Sequence, residues 1–264
     1  MDENIIGIIP SRMASTRFPG KPLAKILGKA MIYHVYQRSK MAKVLREVYI
    51  ATCDEEIQNY CHKNHMNVVM TKNIHERASD RTAEAMERIE KKTRQKINIV
   101  VMIQGDEPLV VPQMIDLSVK PMSRDKNILV VNLMHRLKSK DEEDNPNIVK
   151  VVVDENSYAL YFSRAPIPSG KKTKEIFIRY KQVPIIPFRR DFLITFNQLS
   201  STHLESIESI DMLRVLGHGY KVKMVMSPVN SYSVDTPQDL ERVKKLIRNN
   251  QFTSRNIKKR MKKF

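Results

Sequence analysis

The 264-residue chain holds two cysteines, seven glycines and no tryptophan, and aromatic residues make up only 6% of it. Each scarcity removes a class of explanation. Cys53 and Cys61 would stand about 12 Å apart on a helix, beyond the reach of a disulfide. His62 would point to a different side of such a helix from Cys61, which argues against a zinc site. Free thiols in a reducing compartment are expected. Glycine does not form either of the best-known phosphate loops: Gly-x-Gly-x-x-Gly is missing, and Gly20-Lys21 is followed by Pro22 where a Walker A loop carries Ser or Thr. No apolar run approaches the length needed to cross a bilayer, and the N-terminus has no signal-peptide pattern. A cytoplasmic protein without membrane contact is the simplest expectation. No repeat of fixed period appears, which argues against a solenoid.

Acidic residues are also scarce beside basic ones, 29 against 46, for a formal net charge of +17. Such a balance invites a nucleic-acid hypothesis. Part of it lies in a tail, with Arg255, Lys258, Lys259, Arg260, Lys262 and Lys263, and a disordered tail over 250–264 is expected. The rest is dispersed over helices with few aromatics to stack on bases. A phosphorylated substrate explains the charge as well. A non-catalytic nucleic-acid- or polyanion-binding protein is therefore the alternative of another class, and nucleic acid is not the expected partner.

What the chain does have is a stretch from Ile5 to Lys21 that changes character abruptly. Ile5, Ile6, Ile8 and Ile9, closed by Pro10, suit a buried parallel strand. Ser11, Arg12, Ser15, Thr16, Arg17, Gly20 and Lys21 then arrive on one loop, and a helix is predicted from about Met31 to Met41. Strand, cationic loop and helix is how α/β folds surround phosphates with cations and backbone N–H groups. An ordinary basic surface loop is the plainer alternative.

Strands at 47–52, 68–71 and 97–103 alternate with helices at 55–64 and 78–92, which predicts an α/β fold, a doubly wound and mostly parallel sheet. Gln104-Gly105-Asp106 leaves a predicted strand at its carboxyl end, where open α/β sheets bind ligands. Asp106 there either holds a divalent cation near phosphates or caps the next turn. A helix from 112 to 119 and a strand from 128 to 134 follow. Runs 148–153 and 158–162, split by Asp154-Glu155-Asn156-Ser157, read as a hairpin. Arg164 directly after it is placed either to clamp a carboxylate or to hold a strand end. Residues 180–188 read as one extended run, edge or irregular because of Pro184 and Pro187. One helix is predicted from Thr202 to about Leu216, in which Glu205 and Glu208 suit helix-dipole and capping roles. Thr236 caps the last helix, with Pro237 at its first position and Asp239 in its first turn.

Pro10-Ser11-Arg12, Ser15-Thr16-Arg17-Phe18-Pro19-Gly20-Lys21-Pro22, Gln104-Gly105-Asp106-Glu107-Pro108, Tyr161-Phe162-Ser163-Arg164-Ala165, Leu204-Glu205 to Arg214 and Val234-Asp235-Thr236-Pro237 to Leu240 together resemble the CMP-3-deoxy-manno-octulosonate (CMP-Kdo) synthetases. The match runs in the family's order up to about Ile247. The resemblance implies a nucleotide-diphospho-sugar-transferase-like, Rossmann-like domain over 1–249, with a β-rich insert at about 138–190 for sugar binding and dimer contact. It implies a homodimeric cytidylyltransferase that joins CTP to an acidic sugar with Mg2+ and releases pyrophosphate, in lipopolysaccharide biosynthesis. The preference for cytidine comes from the resemblance alone.

In-line attack on the α-phosphorus requires cations around the phosphates, a bridging metal and a clamp on the attacking hydroxyl. Arg12, Arg17 and Lys21 suit the first role, with Lys21 facing the leaving pyrophosphate. By the resemblance, Asp106 and Asp235 are the magnesium ligands, and Ser15, Ser79, Arg81 and Gln104 join Arg12, Arg17 and Lys21 around the nucleotide. Gln104, Arg164, Lys181, Gln182, Arg189 (or Arg190), Glu205 and Glu208 are expected at the acceptor sugar. Two stretches depart from the family pattern. Arg77-Ala78-Ser79-Asp80-Arg81 stands where Ser-Gly-Thr-Glu-Arg is usual, and Lys181-Gln182-Val183-Pro184-Ile185-Ile186-Pro187-Phe188 stands where a histidine followed by Gly and aromatic residues is usual, with Gln182 unable to carry the charge of a histidine. An acceptor other than ordinary Kdo, such as an amino-Kdo, a nonulosonate or a phosphonate, is the alternative these departures raise.

Overall fold

A computed structural model describes residues 3–15 and 17–249; the basic tail expected at 250–264 lies outside the described residues. The predicted alternation of strands and helices is present. Strands β1 (Ile5–Pro10), β4 (Glu47–Thr52), β5 (Val68–Met70), β6 (Ile99–Ile103) and β11 (Ile185–Arg189) form one sheet in the order β11-β6-β1-β4-β5. All its pairings are parallel except that of β11 with β6. Between β1 and β4 lie a 3-10 turn (Lys21–Leu23) and a small hairpin, β2 (Lys25–Ile26) with β3 (Lys29–Ala30), which the sequence pattern did not predict.

Helices cover both faces because the strands are apolar on both faces. On one side, Ile5, Ile9, Val48, Ile50, Val101 and Ile103 join one core with α1 (Met31–Lys40), α2 (Glu55–Lys63), α4 (Pro112–Arg124) and α9 (Pro237–Arg248). On the other, Ile6, Ile8, Val100 and Met102 pack with α3 (Ala78–Thr93), α6 (Arg190–Gln198) and α8 (Met212–Gly217). Such two-sided burial is the physical basis of the doubly wound class.

A second sheet is mostly antiparallel and runs β12-β7-β10-β8-β9, from β7 (Val131–Arg136), β8 (Lys150–Val153), β9 (Ala159–Ser163), β10 (Tyr180–Val183) and β12 (Lys223–Met226). The predicted hairpin is β8 with β9. A bridge between Val130 and Phe188 joins this sheet to the edge of the first. A short helix, α5 (Lys140–Asp144), lies where a polar connection was expected.

Three local expectations are corrected. The 180–188 run is two strands in different sheets, divided at Pro184: β10 lies inside the second sheet, and β11, which tolerates Pro187, is the outer strand of the first. The single helix predicted from Thr202 to about Leu216 is broken into α7 (His203–Glu208) and α8, because Ser209 adopts φ 51. Helix α4 continues through Pro121 to Arg124, beyond its predicted end.

Candidate active site

Strands β1 and β6 are neighbours, with Ile8 opposite Met102, so the loops leaving their carboxyl ends lie side by side. Gly105 permits the contact: a Cβ there would stand 2.6 Å from Ser11 Oγ and 3.1 Å from the Pro10 carbonyl. Gly20, at φ 70, makes the left-handed turn into the 3-10 segment that carries Lys21. The Lys21 ammonium then donates to Asp106 Oδ2 at 2.7 Å and lies 3.4 Å from Asp235 Oδ1.

Asp235 reaches this point from far along the chain. The Val234 amide donates to the Asp106 carbonyl at 2.9 Å, pinning the approach to α9 against the β6 loop. The predicted cap of α9 is present as a capping box: Asp239 Oδ2 accepts from the amides of Thr236 (2.9 Å) and Asp235 (3.1 Å). Because Asp239 satisfies the helix end, the Asp235 carboxylate is turned to Lys21 and to Arg17, whose Nη2 lies 3.0 Å away. Arg17 Nη1 donates to Asn147 at 2.9 Å and so ties this centre to the loop before β8.

Two hollows, of about 750 and 630 Å³, meet here; Arg17, Arg77, Gln104, Asp106 and Asp235 line both. Arg12, Ser15, Lys21 and Arg81 complete the polar wall of the larger one. Arg81 is almost buried and donates to the Thr71 hydroxyl. Arg164, Lys181 and Gln182 line the smaller one, over an apolar surface that includes Met102, Pro184 and Ile186. Arg164 gives its guanidinium to the carbonyls of Glu208 (2.6 Å), Pro146 (2.8 Å) and Ser209 (3.1 Å), which is the strand-end role left open above.

Five expected site residues, counting Arg190 as the alternative to Arg189, lie elsewhere. Arg189 caps the carboxyl end of α4, donating to the carbonyls of Met122 (2.6 Å), Lys126 (3.0 Å) and Asp125 (3.2 Å) and pairing with Glu3. Arg190, its stand-in, is held by Glu90. Glu205 is fully buried in a two-point pair with Arg214, at 2.7 and 2.9 Å, and in the capping box of α7. Burial pulls its carboxyl upward, yet Arg214 and Ser201 outweigh that and leave it below the usual range. Glu208 accepts from the Ser163 hydroxyl and the Arg164 amide, both at 2.7 Å. Ser79 is buried and donates to Asp211 at 3.1 Å, so it acts on the wall from behind.

Sequence reasoning missed Asp211 and Glu107. Asp211 lines the smaller hollow and pairs with Arg77, whose guanidinium also lies 3.2 Å from Glu205. The break at Ser209, which turns Asp211 toward the hollow, leaves no mark in helical periodicity; its one signal is a carboxylate set between apolar Ile210 and Met212. Glu107 is buried beside the centre, and its Oε2 has no hydrogen-bond partner. Burial first, then the charge of Asp106, pushes its carboxyl up, while Lys181 opposes the shift. Lys181 is pushed down by the same burial and donates to the Ser231 carbonyl at 3.3 Å.

The donor set fits a magnesium ion, because one cation, the Lys21 ammonium, already reaches both Asp106 and Asp235. Among the described residues no group of three or more His, Cys, Asp or Glu side chains could hold a metal. Magnesium is commonly held by one or two carboxylates, with substrate phosphates and water supplying the rest.

Residues 6–224 match the family model described as cytidylyltransferase. The chain belongs to the cytidylyltransferase family. Relatives named 3-deoxy-manno-octulosonate cytidylyltransferase include that of Geotalea uraniireducens (strain Rf4), 43% identical, with 90% of this chain and 97% of that one covered. The protein of that name from Solibacter usitatus is 39% identical, with 94% and 96% covered. A solved CMP:2-keto-3-deoxy-manno-octonic acid synthetase, complexed with CTP, is similar in structure with a TM-score of 0.86 and 34% identity, covering 94% of this chain and all of that one. A cytidylyltransferase from Leptospira borgpetersenii shares the fold at a TM-score of 0.62 and 17% identity. The cationic loop lies within the stretch that matches the family model.

Proposed function

We propose that this cytidylyltransferase couples CTP to 3-deoxy-manno-octulosonate or a close ulosonate relative, giving the CMP-sugar and pyrophosphate. The observation that carries the reading is Lys21 bridging Asp106 and Asp235 where the two hollows meet. The named relatives, one of them solved with CTP, support the choice of both substrates.

The larger hollow, walled by Arg12, Ser15, Lys21 and Arg81, takes the nucleotide, and the smaller takes the acid sugar. The acceptor's anomeric oxygen forms a bond to the α-phosphorus, the bridging P–O bond to the β-phosphate breaks, pyrophosphate leaves and the hydroxyl proton is released. Arg12, Arg17 and Lys21 offset the charge of the departing pyrophosphate. Lys181 and Arg17 offer cations to the sugar's carboxylate, and Gln104 stands at the junction to orient the attacking group. Asp106 and Asp235 would hold Mg2+, which supplies charge neutralisation at the phosphate oxygens when bound.

Assembly as a homodimer through the hairpin region is supported by exposed Leu160 on the outer strand β9 and by exposed Leu204 and Ile207 on α7. Among the described residues no helix is long and apolar enough to cross a membrane, and a cytoplasmic role in lipopolysaccharide precursor supply is part of the proposal. The single domain over 1–249, with an insert at about 138–190, belongs to it too. A thermal-shift assay tests the nucleotide half: stabilisation by CTP that needs magnesium supports it. Equal stabilisation by any polyanion, erased by moderate salt, would support polyanion binding instead.

A further inference from the structure

Gln182 lies on β10 between β7 and β8, its backbone amide donating to the Val149 carbonyl at 2.8 Å, and its side chain lines the smaller hollow. Behind it sits Asn132, fully buried on β7. Asn132 Nδ2 donates to the carbonyls of Val183 (2.7 Å) and Leu133 (3.1 Å). Carbonyls only accept, so the amide nitrogen must face them and Oδ1 must point away. Oδ1 therefore accepts, and Gln182 Nε2 donates to it at 2.5 Å. Both donors of the Asn132 amide and one of the two donors of Gln182 Nε2 are committed, and the two amides cannot be flipped without setting like groups against each other. Gln182 Oε1 accepts no hydrogen bond from the described residues, so it and the second hydrogen of Nε2 are what this side chain has left to offer the hollow, with Oε1 on the side that Asn132 fixes.

We propose that Gln182 is a specificity residue that accepts a hydrogen bond from a hydroxyl or amino group of the acceptor, in a polarity fixed by Asn132. The inference rests on the cytidylyl-transfer reading and names the class of acceptor. Arg17 and Lys181 around the same hollow can only donate, and they suit the oxygens of an acid, whereas Arg77 and Arg164 are engaged with carboxylates and backbone carbonyls. Gln182 Oε1 and the Asp211 carboxylate accept. An acceptor that fits both sets carries an acid group and a separate donor, which describes a polyhydroxy or amino acid sugar and excludes a simple phosphonate.

The test measures pyrophosphate release by wild type and Gln182→Met at saturating CTP and magnesium. The acceptors are Kdo, its single-deoxy analogues, an amino analogue and a simple phosphonate. Gln182→Met keeps length and loses the acceptor oxygen. We expect its KM for the best acceptor to rise about 10- to 100-fold, the effect of one unmade hydrogen bond, with the KM for CTP within about twofold of wild type. In wild type one analogue, lacking the donor that meets Oε1, loses a similar factor; Gln182→Met does not discriminate against that analogue. An unchanged acceptor KM in Gln182→Met, or an equal loss against every analogue, overturns the inference while leaving cytidylyl transfer standing. Retained thermal stabilisation of the variant by CTP shows that it is folded. Wild type that releases no pyrophosphate with any acceptor overturns the underlying reading instead.

Discussion

The Lys21 ammonium stands 2.7 Å from the Asp106 carboxylate, although 85 residues separate them in sequence. The pair brings the loop after β1 and the loop after β6 to one point, and Asp235 joins them from the start of α9. Asp106 and Asp235 direct negative charge into this place, and after burial it is their charge that pushes the neighbouring Glu107 carboxyl up, so the site favours a cation even before phosphates arrive.

Asp106→Asn and Asp235→Asn are each expected to lower turnover by at least about a hundredfold, because each removes charge aimed at the reacting phosphates or their metal. Melting temperature should change little, since each substitution weakens a partly exposed ion pair with Lys21 while it relieves repulsion between the two carboxylates. Steady-state pyrophosphate release and a thermal melt on the same preparation check both halves.

Lys21→Met should depress kcat by about 100-fold or more while leaving the KM for the acid sugar little changed, because the proposed reaction sets its ammonium against the leaving group. The comparison of kcat with both KM values separates this role from simple substrate capture.

Glu205→Gln should destabilise the fold by about 3–5 kcal/mol, the usual result of removing one partner of a buried ion pair. The folded-state carboxyl of Glu205 lies below its usual value of 4.5. Its contribution is therefore present above that value and is lost as pH falls through the folded value. The difference in melting temperature between wild type and variant should be constant near neutrality and shrink below about pH 4.5. Thermal melts across pH read this.

Gly105→Ala places a Cβ against Ser11 Oγ and is expected to cost about 1–3 kcal/mol and to impair activity. Ser11 Oγ is buried without a partner. Adding Ser11→Ala removes the clash and should restore part of the loss, a non-additivity that a double-mutant cycle measures.

Asp211→Asn should raise the KM for the acid sugar about tenfold with a smaller change in the KM for CTP, because Asp211 lines the smaller hollow only. Kinetics with each substrate varied in turn decide it.

The parallel sheet was legible because its strands are apolar on both faces, and the strand at 47–52 matches its prediction residue for residue. The nucleotide half of the site was legible for a related reason: Arg12, Arg17, Lys21 and Asp106 sit on loops that leave adjacent strands, so strand order alone brings them together. The acceptor half was not. Arg189 follows a strand as an anion-binding residue would, yet it meets the carbonyl end of α4, a tertiary contact that no local pattern encodes. Glu205 looked available in a first helical turn until Arg214, nine residues on, enclosed it. Asp211 was hidden inside a helix that Ser209 interrupts. Pro184 marked irregularity correctly, but that the chain passes there from one sheet to the other depends on pairing across the whole fold.

The first measurement to make is pyrophosphate release with CTP, magnesium and a panel of acid acceptors, run beside Asp106→Asn. The account predicts release that needs CTP, magnesium and a hydroxylated or amino acid sugar, and that falls to background in the variant. Release that proceeds undiminished in Asp106→Asn, or no release and no CTP binding by the wild-type protein, would contradict it.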